Sequence, residues 1–362
     1  MDNNSLDRAR KEINKIDAEM AELFEKRMQA VGAIAEYKAE RGLPILDEKR
    51  EAEVIRLNST MVEDEGLREY YVSFLRNNMA VSRAYQSRIT SGMRVAYSGT
   101  EGAFAHIASC KLYPTATKIA YADFSSAYRA VECGECDVAV LPVENSYNGE
   151  VGQVTDLMFS GSLFINAMFD LPVTQDLLAN EEVKIDEITE VVSHPQAFGQ
   201  CSEYIDRHNF SRREFVNTAL AAKWVKESGS RNTAAIASRE AANIFGLAVL
   251  DHDINASRNN STRFAVFSRV SARQGNSSEV HSVLLFTVPN EAGALARAIE
   301  VIGNQGFNMI TLRSRPMKEL LWQYYFYVEL EGNAQGERGE SLIKALECCC
   351  DKIKFAGTYI KV

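Results

Sequence analysis

The sequence predicts a multidomain chain with an all-α segment first, an α/β segment in the middle and a small α+β segment last. Three observations predict it. Residues 6–41 carry a single uninterrupted helical period, and from Met93 strand-like runs alternate with helical ones. After the polar stretch 271–279 a short βαββαβ pattern closes the chain. With 362 residues, at roughly 100–200 per domain, two or three domains are expected.

In the first segment apolar residues recur at Ile13, Ile16, Met20, Leu23, Phe24, Val31 and Ile34, three or four apart. Gly32 is the one glycine inside, proline is absent, and Gly42 with Pro44 ends the helix. At 1.5 Å per residue it is about 50 Å long, too long to bury its stripe within ~90 residues of its own chain. Two further helices are expected at 47–60 and 66–89. The expected solution is a helical bundle shared between two chains.

The middle segment reads as strands at Arg94–Tyr97, Lys118–Ala120, Asp137–Pro142, Glu190–Ser193, Arg213–Val216, Ala234–Ala237 and Arg263–Ser268. Helices are expected between them, among them Phe124–Cys133, Gln196–His208 and Thr218–Ser228. This pattern predicts a mostly parallel sheet, which binds ligands at the C-terminal ends of its strands. In the last segment strands are expected at His281–Val288, Met309–Arg315, Trp322–Glu331 and Lys354–Lys361. Helices are expected at Ala292–Gly303 and Glu340–Cys349. That order is the split βαβ pattern of a ferredoxin-like fold. The boundaries drawn are 1–91, 92–271 and 279–362.

Composition narrows the function classes. Hydrophobic residues make up 46% and charged residues 25%, which fits a soluble globular chain. No apolar run approaches the ~18–20 residues of a spanning helix, and the N-terminus lacks an apolar signal region. A cytoplasmic protein is therefore expected. The 40 Lys and Arg against 49 Asp and Glu give a net charge of −9, which argues against nucleic acid as partner. Seven cysteines without a second CxxC beside Cys133–Cys136 predict free thiols, no metal and no cofactor.

Arg27 interrupts the apolar stripe of the first helix, and Lys38 lies 11 residues on, on the same face. Cations on a buried face need an anion, from internal salt bridges or from a ligand. Arg10 lies a quarter turn off that face and 17 residues away, so it is expected to serve a partner chain's pocket. Asp47, Arg50 and Glu51 cluster at the second helix start, and Ser82 and Gln86 share a face of the third. Together these residues resemble the all-helical chorismate mutases. The resemblance implies an intertwined helical domain. It also implies that Arg27, the partner's Arg10 and Ser82 hold the carboxylates of chorismate. Lys38 and Gln86 would contact its ether oxygen as catalytic groups, Asp47 and Glu51 would orient the ring hydroxyl, and Arg50 would add positive potential. The rearrangement to prephenate needs a fixed conformer and charge at the breaking ether, which these residue types supply.

Four motifs stand at expected strand ends in the middle segment. They are Gly99–His106, Leu141-Pro-Val-Glu144-Asn145-Ser146, Ser193-His194-Pro195-Gln196 with Gln200, and Asn260-Ser261-Thr262-Arg263-Phe264. Ser193, Pro195 and Gln196 also fit a capping box with proline in the first turn. The set resembles prephenate dehydratase. The resemblance implies a two-lobed fold like the type II periplasmic binding proteins, with the site between lobes and a hinge near Phe169–Ala179. It implies Thr262 as the acid that helps hydroxide leave prephenate. Asn145, Ser193 and Gln200 would be substrate-binding, with Glu144, Ser146 and Arg263 beside them. Thr100, Ala105 and Gln175 depart from the family pattern.

Residues 280–362 resemble an ACT domain of the dehydratase type. Gly293-Ala294-Leu295 and Ser314-Arg315-Pro316 stand where that family binds phenylalanine, with Arg313 where it usually has an acid. The whole then implies an allosteric, homodimeric or larger enzyme of phenylalanine biosynthesis, an isomerase and a lyase. Its partners would be chorismate, prephenate and the effector L-phenylalanine, with no nucleic acid, no membrane and no metal. The competing class is a non-catalytic ligand receptor, and a third reading makes the first helices a mere dimerisation device.

Overall fold

The computed structural model describes residues 3–256, 259–272, 279–317 and 323–362. The chain forms two compact units, Met1–Arg94 and Val95–Val362.

The first unit is α1 (Asn3–Glu40), α2 (Glu48–Ser59) and α3 (Glu65–Ser91). The carboxylate of Asp47 caps α2 by accepting from the Arg50 amide, and Asp64 caps α3 from the Gly66 amide. Both α1 and α2 pack on α3. Val31 and Ala35 of α1 bury against the side of α3 that carries Met79, Ser82 and Gln86. Toward the N-terminus the stripe stays open: Leu6, Ile13, Ile16, Met20, Leu23 and Phe24 are 43–64% exposed. Three helices of one chain do not cover it.

The second unit opens with β1 (Arg94–Ser98), α4 (Phe104–Leu112), β2 (Thr117–Tyr121), α5 (Phe124–Glu132) and β3 (Val138–Asn145). Then come β4 (Gly149–Glu150), α6 (Gly152–Ser160) and β5 (Phe164–Pro172). The chain crosses to a second sheet through β6 (Asp176–Ala179), β7 (Glu190–Ser193), α7 (Pro195–Gln200), α8 (Ser202–Arg207) and β8 (Ser211–Glu214). That lobe is completed by α9 (Thr218–Ser228), β9 (Thr233–Ala237), α10 (Arg239–Phe245) and β10 (Ala248–Asp251). The chain returns as β11 (Ser261–Ser268). The last part is β12 (Val280–Thr287), α11 (Ala294–Asn304), β13 (Met309–Pro316), β14 (Tyr324–Glu331), α12 (Glu337–Leu346) and β15 (Lys352–Lys361).

The sheets are mixed, which corrects the expectation of a mostly parallel one. β1/β3, β7/β8 and β7/β9 are parallel. β11, however, runs antiparallel to both β3 and β5, and β6 runs antiparallel to β9 and β10. The cause is the double crossing between lobes. An outgoing strand, β5, and a returning strand, β11, lie side by side and so must run in opposite directions. β5 reaches Pro172, and the connection to β6 is only residues 173–175, shorter than the hinge expected over Phe169–Ala179. The helix expected over Gln196–His208 breaks at Cys201, whose φ of −114° leaves the helical region. The strand expected at Arg213–Val216 runs two residues earlier.

The last part forms the antiparallel order β13-β14-β12-β15 with its own core, among it Leu284, Phe286, Ala298, Ile302, Val328 and Leu346. β15 continues into β5 as a parallel neighbour at Ile360–Ala167 and Lys361–Met168. Tyr325, Tyr327 and Tyr359 share a second core with Tyr128, Met158, Phe159 and Ile165. The rings of Phe159 and Tyr325 stack at 4.4 Å. Burying such a ring is worth about 1.5–3 kcal/mol. Trp322 and most of the polar stretch 271–279, namely 273–278, lie outside the described residues.

Candidate active sites

A cleft of about 700 Å³ lies between the two lobes of the second unit. Asn145 at the end of β3 and Thr262 at the start of β11 line it and are register partners. The Asn145 carbonyl oxygen accepts from the Tyr147 and Asn148 amides at 3.0 and 2.9 Å. That fixes which way the amide points. Its NH2 then donates to Thr262 Oγ1 at 2.9 Å, to Asn260 Oδ1 at 2.9 Å and to Ser261 O at 3.2 Å. Thr262 Oγ1 thus accepts a hydrogen bond from the Asn145 amide, and its own O–H is left for the cleft.

Facing this pair are Gln200 at the end of α7 and Gln175 between the lobes. Gln175 is 2% exposed, donates to Gln200 Oε1 at 3.4 Å, and its Oε1 has no hydrogen-bond partner among the described residues. The starts of α4, α5, α6 and α9 border the same space, at Phe104, Phe124, Val151 and Thr218. Among the described residues no Lys or Arg side chain lines the cleft.

Strand alternation turns Glu144, Ser146 and Arg263 away, so they do not line the cleft. Arg263 instead grips Asp170 with Nε and Nη2 at 2.8 and 3.2 Å. Those hydrogen bonds hold the Asp170 carboxyl below its ordinary pKa. Ser146 Oγ ties the loop to the Asn259 carbonyl and the Ser261 amide. Ser193 is also off the cleft: it is fully buried and donates to the Ile236 carbonyl at 2.6 Å. The helix cap expected of Ser193 belongs to His194, whose Nδ1 accepts from the Gln196 amide, with Pro195 following.

In the helical unit Arg27 donates to Ser82 Oγ, and Ser82 and Gln86 are buried. Gln86 Oε1 has no partner among the described residues. Lys38 Nζ reaches the Ile45 carbonyl at 2.6 Å. Glu51 pairs with Arg83, which the sequence reading did not single out. Arg50 pairs with Glu53 on the surface at 2.6 Å. Arg10 is exposed beside Asp7 at 3.9 Å. Its 17-residue separation from Arg27 is about 26 Å along α1, out of reach of the same pocket.

The prephenate dehydratase family model matches residues 95–272, and the chorismate mutase type II model matches residues 9–87. The bifunctional chorismate mutase/prephenate dehydratase of Neisseria gonorrhoeae is 31% identical over 357 residues, covering 97% of this chain and 95% of that protein. This chain belongs to the bifunctional chorismate mutase/prephenate dehydratase family. Its helical unit is a chorismate mutase and its two-lobed part a prephenate dehydratase. The solved prephenate dehydratase of Arthrobacter aurescens, in complex with L-Phe, is 27% identical with a TM-score of 0.69. The match covers 74% of this chain and 90% of that one. A solved quorum-quenching acylase, GqqA, is also 27% identical, with a TM-score of 0.68, covering 74% of this chain and 98% of that one.

Beyond the dehydratase lobes, Ala294 and Leu295 line a recess of about 240 Å³ with Glu291, Tyr324, Phe326 and Asp351. Gly293 caps α11 at φ 81°, a conformation glycine supplies without strain. Ser314, Arg315 and Pro316 do not line that recess. On β13 the odd-numbered residues face inward and the even-numbered ones are exposed. Arg315 therefore turns to Asp156, Glu150 and the Tyr325 hydroxyl at 3.1, 3.4 and 3.0 Å.

The sequence of this bifunctional family member gave no signal for Arg83, placed Asn260 in a motif without a role for it, and marked Gln175 only as a departure. Its place directly before the Ser-Thr-Arg-Phe strand was the signal for Asn260, and its role as acceptor of the Asn145 amide comes only from the fold.

Proposed function

We propose that one chain rearranges chorismate to prephenate in the helical unit and converts prephenate to phenylpyruvate in the interlobe cleft, with Thr262 as the proton donor. The observation that carries the dehydratase assignment is the Asn145 amide donating to Thr262 Oγ1. As carbon dioxide leaves, the electrons of the broken C–C bond enter the ring. The ring aromatises by expelling the hydroxyl, the departing oxygen takes the Thr262 proton and leaves as water, and the Thr262 alkoxide regains a proton from solvent water, releasing hydroxide. A threonine is a weak acid, so negative charge building on Oγ1 must be met by a donor already in place. Asn145 is that donor, anchored by two backbone amides on its other side. Carbon dioxide loss and aromatisation supply the driving force, so the step calls for no cofactor.

Prephenate is a dianion, and among the described residues no cationic side chain lines the cleft. Its carboxylates are received by backbone amides at the starts of the 9-residue α4 and 11-residue α9, with Gln200 and Gln175 beside them. Neither Arg263 nor Ser193 is needed for this role.

In the mutase, Arg27 and Ser82 hold a carboxylate, and Lys38 and Gln86 take the ether oxygen. The buried, unpartnered Gln86 Oε1 supports a site completed by a ligand. Asp47, Arg50 and Glu51 border it, and Arg10 completes the partner's pocket in an intertwined homodimer. The exposed stripe of α1 supports that assembly. Residues 279–362 act as an ACT domain that binds L-phenylalanine at Gly293–Leu295 and inhibits the enzyme. The L-Phe complex of the Arthrobacter relative supports this.

The test is to give purified protein chorismate and follow its loss with phenylpyruvate formation. Both signals are expected. Accumulation of prephenate alone removes the dehydratase assignment, and conversion of added prephenate without chorismate loss reduces the helices to a scaffold.

A further inference from the structure

The two faces of the β3/β11 pair do different work. One carries Asn145 and Thr262 into the cleft; the other carries Glu144 and Arg263 toward β13 and β14. The pair is irregular at this point. Asn145 faces Thr262 and Glu144 faces Arg263, but the next register pair is Pro142 with Phe264, so one residue of β3 is extra. A bulge of this kind bends the strand and re-aims its side chains. The carbonyl of the extra residue, Val143, accepts from the Val151 amide at 3.0 Å, and side-chain ties from β13 add to that hold on the segment carrying Asn145.

Glu144 Oε1 receives Arg313 Nη2 at 2.5 Å. Arg263 comes only to 3.9 Å and is committed to Asp170 through two hydrogen bonds. Arg313 is thus the main partner of Glu144. Both side chains are about 30% exposed or less, where an ion pair is screened less than on the surface. Two residues along the same face of β13, Arg315 holds Glu150 and Asp156. It lies so close over Gly152 that a Cβ there would stand 2.1 Å from its Nη1. Strand β13 therefore grips the segment Glu144–Asp156 at both ends, and that segment supplies Asn145, Asn148 and Glu150 to the cleft.

We propose that Arg313 is a positioning residue for the dehydratase reaction, holding Glu144 so that Asn145 keeps its amide on Thr262. It acts through Glu144 and touches neither substrate nor the reacting atoms. The proposal rests on Asn145 and Thr262 being the dehydratase site.

The experiment measures prephenate dehydration and chorismate rearrangement by the full-length chain in five forms beside wild type: Arg313→Met, Arg313→Lys, Glu144→Gln, the Arg313→Met/Glu144→Gln double variant and Thr262→Ala. Arg313→Met is expected to lower dehydratase kcat at least tenfold while KM for prephenate stays within threefold. Arg313→Lys keeps the charge and is expected within threefold of wild type, which also shows that substitution there is compatible with folding. Glu144→Gln should match Arg313→Met, and the double variant should lose no more than either single one. Mutase turnover should be the same in all. A merely structural role would move KM and kcat together and give losses that multiply. Arg313→Met within twofold of wild type, or multiplying losses, overturns the proposal while Thr262→Ala still abolishes dehydration. If Thr262→Ala dehydrates normally, the site reading falls and this proposal with it.

Discussion

The Asn145 amide stands 2.9 Å from Thr262 Oγ1, on the cross-strand partner of its own residue. Donor and acceptor are thus set by sheet register and not by a flexible loop. A proton donor near a leaving oxygen is worth about 10²–10⁴ in rate. Thr262→Ala and Thr262→Val should lower dehydratase kcat by that much, and Thr262→Ser should retain most of it. Asn145→Ala should cost at least tenfold, since it removes the donor to Oγ1 and leaves two backbone amides unmet. Steady-state kinetics on added prephenate checks this, and an unchanged kcat for Thr262→Val would remove the hydroxyl from the reaction.

The two units are compact in themselves, so damage to one chemistry should spare the other. Arg27 donates to Ser82 within the helical unit, and Lys38 lies three turns further along the same face. Arg27→Ala and Lys38→Ala should each lower mutase kcat/KM by about 10²-fold or more, the scale of losing a preorganised charge contact. Dehydration of added prephenate should stay within twofold of wild type. Equal losses in both assays would mean that the substitution disturbs the whole chain.

Much of this was legible from residue spacing. The stripe on α1, the Asp47-Arg50-Glu51 cluster at the start of α2 and the Thr-Arg-Phe strand are local signals, and local signals survive in a sequence. Some of the rest was legible too. Thr262 and Arg263 are consecutive on a strand, as are Glu144 and Asn145, so period-two alternation forbids both members of either pair from facing one cleft. Ser193 was harder. It ends a four-residue strand whose inner and outer faces depend on which neighbours flank it, and its hydroxyl partner, the Ile236 carbonyl, lies 43 residues on. The antiparallel entry of β11 was not legible, because it follows from the chain's return between lobes. The destination of Arg313 depends on the curvature of a sheet shared between β3 and β13.

Gly357 offers a test of how the last βαββαβ part joins the dehydratase. It sits in β15 at φ 133°, where the register with β12 slips. A Cβ added there would stand 2.3 Å from the Ile165 carbonyl oxygen on β5. Neither the backbone conformation nor the contact with a strand can relax cheaply. Gly357→Ala should destabilise by about 1–3 kcal/mol, the usual cost of overpacking a core. For a unit of this size that is a fall in melting temperature of roughly 3 °C or more. Calorimetry checks it, and an unshifted transition would mean that β15 and β5 separate without cost.

Glu329 on β14 is 2% exposed and accepts a hydrogen bond from the Tyr359 hydroxyl. Burial raises its pKa above the ordinary carboxylate value, and the charges of Arg263, Lys361 and Arg313 only partly offset this. The sign follows from linkage. An acid whose folded pKa is raised contributes stability that is fully present below its unfolded pKa and is lost as pH rises through the folded one. Glutamine keeps an acceptor for Tyr359 but cannot ionise. Glu329→Gln should therefore melt higher than wild type at pH 8, and the gap should shrink as the pH is lowered toward 4, where the glutamate is protonated in both states. Thermal melts of the two proteins across that range decide the matter. A gap that stays constant with pH, or a wild type that is the more stable at pH 8, would show that the cations around Glu329 stabilise its charge more than burial penalises it.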